Sequence, residues 1–268
     1  MTDPVTPSPA ATIVLLRDRA PGSVEVLLLQ RHGKSKFAAG DYVFAGGKVE
    51  RADGLVDEAW LDAGLTAEVA AATLGGGLEG RDAIAYWVGA IREAFEEAGL
   101  LLAYTADGNL VRFTGEARDR FAAHRVACQT SNEAFFAMLH AESLRLATDR
   151  LTYFAHWITP EENPIRFDTR FFAAVAPVDQ EATVDGHEIV ASRWLTPDEA
   201  FEAARRQEIS LRAPTSKNLE LVARAGASGT AMQVVKSLAG RSVPTIRPRI
   251  LTVEGRRVAV LPGDPRWY

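Results

Sequence analysis

The stretch Arg92-Glu93-Ala94-Phe95-Glu96-Glu97-Ala98-Gly99-Leu100 decides how this chain is read. Residues three and four apart share one face of a helix. Glu93, Glu96 and Glu97 therefore project together, while Ile91, Phe95 and Ala98 face elsewhere. Three like charges on one face repel, and a hard divalent cation with oxygen ligands offsets that repulsion. A solvated acidic face is the plain alternative. Gly99 stands where a helix C-cap glycine belongs, and the apolar Leu100-Leu101-Leu102 follows at once. Upstream, Phe44-Ala45-Gly46-Gly47-Lys48-Val49-Glu50 reads as a short strand closing on a glycine pair.

Together these segments resemble the Nudix hydrolase superfamily, whose motif is Gly, five residues, Glu, seven residues, then Arg-Glu-hydrophobic-x-Glu-Glu-x-Gly-hydrophobic. Gly47 matches the opening glycine and Arg92 to Leu100 the closing segment, with the small Ala94 in the hydrophobic slot. The middle departs from the motif. Asp53 stands where glutamate is usual, and 38 residues separate it from Arg92, so about 31 are extra. A divided motif of this kind resembles the coenzyme A diphosphatase-like branch. Leu28-Leu29-Gln30-Arg31, Lys36, Gly40 and Phe44 to Gly47 follow that branch's upstream signature, with Lys36 in place of arginine and Ala45 in place of proline. Arg166-Phe167-Asp168-Thr169-Arg170-Phe171-Phe172 resembles a further segment of it.

The resemblance implies an α+β Nudix fold, with mixed β-sheets sandwiched between helices and a helical insertion inside the motif. It also implies an enzyme that hydrolyses a diphosphate linkage in a nucleoside diphosphate derivative, using Mg²⁺ or Mn²⁺. Glu96 and Glu97 would be the principal metal ligands, Glu93 a further ligand or the general base, and the Gly46 carbonyl another ligand. Arg92 would orient the carboxylates through its planar fork, and Glu188 would supply one more acid from a later segment. Arg31, Lys36, Arg166 and Arg170 would meet the anionic substrate. Asp53 is read either as a loop residue or as the counterpart of the family glutamate, and Glu50 as a second nearby carboxylate or a bystander. Coenzyme A or an acyl-CoA is the favoured substrate. ADP-ribose or NADH is the alternative, and a non-catalytic Nudix-fold ligand-binding regulator is the reading from another class. A homodimer is the assembly that family habit implies.

Composition sets outer bounds. With 268 residues, 47% of them apolar, the chain has ample material for a core. A net charge of −5 speaks against a nucleic-acid partner. The single cysteine, Cys128, excludes an intrachain disulfide and reads as a small buried residue in a reducing, cytoplasmic setting. No apolar run approaches the roughly 18 residues that a membrane span needs, and the N-terminus lacks a signal-like start.

Along the chain, residues 1–10 read as a flexible tail and 11–268 as one domain. That domain holds an insertion at about 50–82 and a C-terminal helical and hairpin extension at about 214–268. Strands are predicted at Thr12–Leu16, Val24–Gln30, Tyr42–Ala45, Leu151–Thr159, Thr169–Ala176 and Glu188–Leu195. Leu100–Tyr104 and Leu110–Phe113 read as a hairpin. Helices are predicted at Asp57–Ala63, Thr66–Thr73, Ala83–Ala98 capped by Asp82, Glu116–Ala127, and Asn132–Arg145 capped by Ser131. Further helices open at Pro197 and Lys217 and span Thr230–Leu238, before a terminal hairpin over Ile246–Val253 and Arg256–Leu261.

Overall fold

A computed structural model describes residues 5–20, 22–35, 37–61, 64–226, 229–253 and 255–267. Its frame is an eight-stranded mixed sheet built around β1 (Ser8–Ala20). On one edge β1 runs parallel to β8 (Phe167–Val175) along nine residue pairs. Its other edge changes partner along its length. Residues Ala10 to Ile13 pair with β4 (Ala45–Lys48), and Leu16 to Ala20 pair with β2 (Ser23–Arg31). β2 also pairs with β3 (Tyr42–Val43) and with β9 (Ile189–Leu195), and β7 (Thr152–Ile158) flanks β8. The short β10 (Thr245–Ile246) closes the β7 edge.

Alternation along the strands divides the core in two. Ile13, Leu15, Leu27, Leu29 and Phe172 face one side, and Val14, Leu16, Val26, Leu28 and Phe171 face the other. The first side is covered by α1 (Ala67–Leu74) and α2 (Gly80–Ala98), then by α3 (Glu116–Cys128) and α4 (Asn132–Ala141). Between α2 and the next strand of the main sheet, β5 (Ala103–Tyr104) and β6 (Arg145–Leu146) form a separate small pair. The second side is covered by α5 (Pro197–Arg205), α6 (Ala213–Ala225) and α7 (Ala231–Leu238). The result is the mixed sheet between helices that the resemblance implies. The chain ends in a hairpin, β11 (Arg249–Val253) and β12 (Arg256–Val260).

Several local expectations are corrected. β1 begins at Ser8, inside the stretch read as a tail, because its N-terminal residues pair with β8. α2 starts at Gly80 with Glu79 as N-cap, not at Asp82, which lies in the first turn. The helix expected over Asp57–Ala63 is a short 3₁₀ turn at Glu58–Trp60, with residues 62 and 63 outside the described set. Leu100–Phe113 is not a two-stranded hairpin: β5 pairs with β6, leaving one bridge between Tyr104 and Leu110. Ser131 caps α4 as its sequence suggests, and Thr230, read as the first residue of its helix, is instead the N-cap of α7.

Candidate active site

α2 is the best-buried helix of the molecule, and its last turns carry the acidic stretch. Gly99 closes it at φ 69°, the left-handed conformation that a C-cap requires and that other residues resist. Arg92 is 2% exposed, yet its guanidinium is fully used. Nε donates to Asp53 Oδ1 at 2.9 Å, and Nη2 donates to Asp53 Oδ2 at 3.1 Å and to the Lys48 carbonyl at 2.9 Å. Nη1 donates to Glu93 Oε1 at 2.9 Å and Glu96 Oε2 at 3.0 Å. Arg92 thus fixes both the carboxylates and the segment after β4. Burial alone would lower its pKa, but the Asp53, Glu93 and Glu96 carboxylates raise it on balance.

Asp53 is fully buried, and it resolves the open reading in favour of a structural partner. Besides its two contacts with Arg92 it accepts the Glu50 N–H at 2.8 Å, which folds the chain just before the insertion departs. Glu50 itself is partly exposed and lines the cleft in front of the helix.

The glycine pair meets the acids directly. The Gly46 N–H donates to Glu97 Oε2 at 2.9 Å. At Gly47 a Cβ would lie 2.7 Å from both oxygens of Glu93, so only glycine lets the strand approach this closely. Burial pushes the carboxyls of Glu93 and Glu97 upward, and their mutual charge adds to it at Glu97. Burial likewise raises Glu96 to about 7, against the pull of Arg92. One oxygen of Glu96, Oε1, is buried with no hydrogen-bond partner.

These are the features of a site for a hard cation: an all-oxygen donor set, excess negative charge in a poorly hydrated place, and an unused carboxylate oxygen. Among the described residues, no three acidic, histidine or cysteine side chains close on a single point. In this conformation Glu93 and Glu96 are turned onto Arg92 Nη1. Glu93, Glu96 and Glu97 are the residues that would hold such an ion.

The other predicted residues separate into two groups. Arg31 lines the same cleft, with Nη1 3.7 Å from Glu97 Oε1 and Nη2 3.9 Å from Glu188 Oε2. The Glu188 side chain is 72% exposed at the cleft, on a turn in which Asp185 Oδ1 accepts the N–H groups of His187, Glu188 and Ile189. Lys36 lies outside the described residues. Arg166 and Arg170 do not line the cleft, contrary to expectation, because the protein itself uses their charges. Arg166 donates to the carbonyls of Thr159 and Val5. Arg170 pairs with Asp168 at 2.8 Å and lies over the Tyr86 ring.

One contributor has no signal in the sequence. Arg125 of α3 donates to the Glu96 carbonyl at 3.0 Å, the Glu97 carbonyl at 2.8 Å and the Thr183 carbonyl at 2.9 Å. It gives the last turn of α2 a cation where the helix dipole is negative. It also ties that turn to the segment leading to Glu188. A cleft of about 1,480 Å³ opens before the carboxylates. Cys128 lines it too, as a buried thiol that burial pushes up to about 12.

Comparison with known proteins agrees with this geometry. A family model described as the NUDT19 Nudix domain matches residues 72–221. The acyl-coenzyme A diphosphatase NUDT19 of Xenopus laevis is 26% identical over 270 residues, spanning 90% of this chain and 70% of the relative. Its namesake from Gallus gallus is 28% identical over 301 residues, spanning 95% and 78%. The crystal structure of a NUDIX hydrolase from Alicyclobacillus acidocaldarius superposes with a TM-score of 0.71 at 25% identity, covering 89% of this chain and 99% of that one. With its acid helix, glycine pair and divided motif, this chain belongs to the NUDT19 Nudix domain family and is a Nudix diphosphatase.

Proposed function

We propose that the cleft hydrolyses the diphosphate linkage of coenzyme A or an acyl-CoA, with Mg²⁺ or Mn²⁺ bound at Glu93, Glu96 and Glu97. The observation that carries this reading is the buried carboxylate group pinned by Arg92 and Asp53 against Gly46-Gly47. The coenzyme A part is supported by the activity in the names of the NUDT19 relatives. Water attacks one phosphorus, the bond from that phosphorus to the bridging oxygen breaks, and a phosphopantetheine and an adenosine bisphosphate leave. A bound divalent cation supplies charge neutralisation on the phosphates and a more acidic water.

The chain's own residues do the positioning. Glu96 and Glu97 would be the main cation ligands, with the Gly46 carbonyl beside them. Glu93 would be a further ligand or the base that takes the proton from water. Arg92 holds Glu93 and Glu96 side by side on one nitrogen, from which both carboxylates would turn to share a cation. Arg31, between Glu97 and Glu188, would meet the diphosphate once the acids are neutralised. Glu188 stands at the cleft as the additional acid.

The test is a panel of coenzyme A, acyl-CoAs, ADP-ribose and NADH, with each cation and with products identified by mass. Release of phosphopantetheine species is expected. Turnover confined to ADP-ribose or NADH would move the substrate assignment. No turnover on any of them would favour a binding protein.

A further inference from the structure

The Glu188 side chain is 72% exposed, so packing does not hold its carboxylate at the cleft. Its place is set by its backbone, and the segment Asp185-Gly186-His187-Glu188-Ile189 is anchored at both ends. At the far end, β9 begins at Ile189, which pairs with Arg31 of β2, and the His32 N–H donates to the Glu188 carbonyl at 2.8 Å. Arg31 and Glu188 are thereby neighbours on adjoining segments. At the near end, the Thr183 N–H donates to the Ala98 carbonyl at 2.9 Å, and Arg125 donates to the Thr183 hydroxyl at 2.6 Å and to its carbonyl at 2.9 Å. The start of the segment is thus docked on the last turn of the helix that carries Glu97.

Between the anchors the turn is closed by one atom. Asp185 Oδ1 accepts the N–H groups of His187 at 2.5 Å, Glu188 at 2.7 Å and Ile189 at 3.2 Å. Gly186 takes φ 76°, a left-handed conformation, and donates its N–H to the Ile189 carbonyl at 3.0 Å. Aspartate and asparagine close turns in this way because a short side chain reaches the amides that follow it. Asp185 is only partly buried and lines the cleft with Glu188.

We propose that Asp185 is a positioning residue: by gathering these three amides it fixes the Glu188 backbone so that its carboxylate faces Glu97 across Arg31. Arg31 lies 3.7 Å from Glu97 and 3.9 Å from Glu188, which sets the span to be held. This rests on the reading of Glu188 as the additional acid of the diphosphatase. The acceptor oxygen carries the role, not the charge, so asparagine serves in its place. A cap that only folds the loop would lower stability and leave kcat alone. A positioning cap lowers kcat, and does so through Glu188, because a displacement of about 1 Å costs up to about a hundredfold in rate.

The experiment measures kcat, KM and Tm of the full chain on whichever substrate of the panel above turns over. The proteins are wild type, Glu188→Gln, Asp185→Ala, Asp185→Asn and the double variant Asp185→Ala with Glu188→Gln. Glu188→Gln should lower kcat by about a hundredfold or more, the low end for a positioned acid or base. Asp185→Ala should lower kcat by at least about tenfold with KM within about threefold of wild type. The double variant should be no more than about threefold slower than Glu188→Gln, since nothing is left to position. Asp185→Asn should stay within about threefold of wild type, because its side-chain oxygen still accepts the amides. Should Asp185→Ala not fold, Asp185→Ser, whose hydroxyl closes such turns more weakly, replaces it in the cycle. Wild-type kcat in Asp185→Ala, losses that multiply in the double variant, or an Asp185→Asn as slow as Asp185→Ala each overturn the positioning role and leave Glu188 its own. Wild-type kcat in Glu188→Gln overturns both roles while the reading of Glu93, Glu96 and Glu97 survives. No turnover of any substrate overturns the positioning role and the diphosphatase reading together.

Discussion

Arg92 and Asp53 lie 39 positions apart and meet as a two-pronged ion pair sealed from solvent, with contacts of 2.9 and 3.1 Å. The pair is how a divided motif stays one motif. The chain leaves the site after Asp53, builds the insertion that holds α1, and returns along α2 to place Arg92 on the same carboxylate. A buried pair of this kind is costly to break from one side, because the surviving charge is left without a partner.

Asp53→Ala should therefore lower stability by about 3–5 kcal/mol, measured by urea unfolding. Arg92→Met combined with Asp53→Leu should lose less than the two single changes added together, because neither member of the pair is left buried without the other. Activity should not return in the double variant, since Glu93 and Glu96 lose the donor that orients them. Simple additivity of the two stability losses would show that the pair is not coupled.

At Gly47 the strand leaves no room for a methyl group beside Glu93. Gly47→Ala should leave a folded protein whose kcat falls by about a hundredfold, because displacing a catalytic group by about 1 Å costs that much. Circular dichroism and a steady-state assay check this together. Near-wild-type kcat would mean that the close approach of β4 to Glu93 has no role in turnover.

Arg125 acts on the backbone of the acid helix. Arg125→Met would leave the carbonyls of Glu97 and Thr183 short of a donor, at about 1–3 kcal/mol for each left buried and unsatisfied, while Gln129 still donates to the Glu96 carbonyl. The expected result is a lower Tm together with weaker Mn²⁺ binding by calorimetry. Arg125→Lys, which keeps the charge at the helix end, should recover part of both. A Tm loss with unaltered Mn²⁺ affinity would confine Arg125 to the fold.

The acids should also leave a mark on stability against pH. Burial pushes Glu96 up to about 7 in the folded chain against 4.5 for an ordinary glutamate, and Glu93 and Glu97 are raised as well. A raised carboxyl pKa means that folding takes up protons. Its contribution is complete below 4.5 and is lost as pH rises through about 7. Without divalent cation, Tm should fall across that window, and Glu96→Gln should flatten the slope. Mn²⁺ should flatten it too, by replacing the protons as the neutralising charge. An identical slope in wild-type protein and Glu96→Gln would contradict the assignment.

Much of this site can be read from the sequence because its central parts are local. Helical spacing sets Glu93, Glu96 and Glu97 on one face, Gly99 ends the helix, and Gly46-Gly47 closes a short strand. What cannot be read is which partner a charge finds across the fold. Asp53 looks like a loop residue until the return of α2 brings Arg92 onto it. Arg166 and Arg170 have the right charge for a phosphate, but main-chain carbonyls and Asp168 occupy them first. Arg125 lies in an unremarkable surface-helix pattern, and only the packing of α3 on the end of α2 gives it a task. The β5–β6 pairing is likewise long-range, which is why Leu100–Tyr104 and Leu110–Phe113 read as a hairpin from local sequence.

The central claim is that the carboxylates at the end of α2 carry out metal-assisted diphosphate cleavage, and Glu97→Gln tests it most directly. Glu97 is 5% exposed and raised well above its usual pKa by burial and by Glu93, so the neutral isostere should keep or improve Tm in the absence of cation. Hydrolysis of acyl-CoA with saturating Mg²⁺ or Mn²⁺ should fall by at least about 10²–10³. Wild-type rates from a folded Glu97→Gln protein would contradict the account.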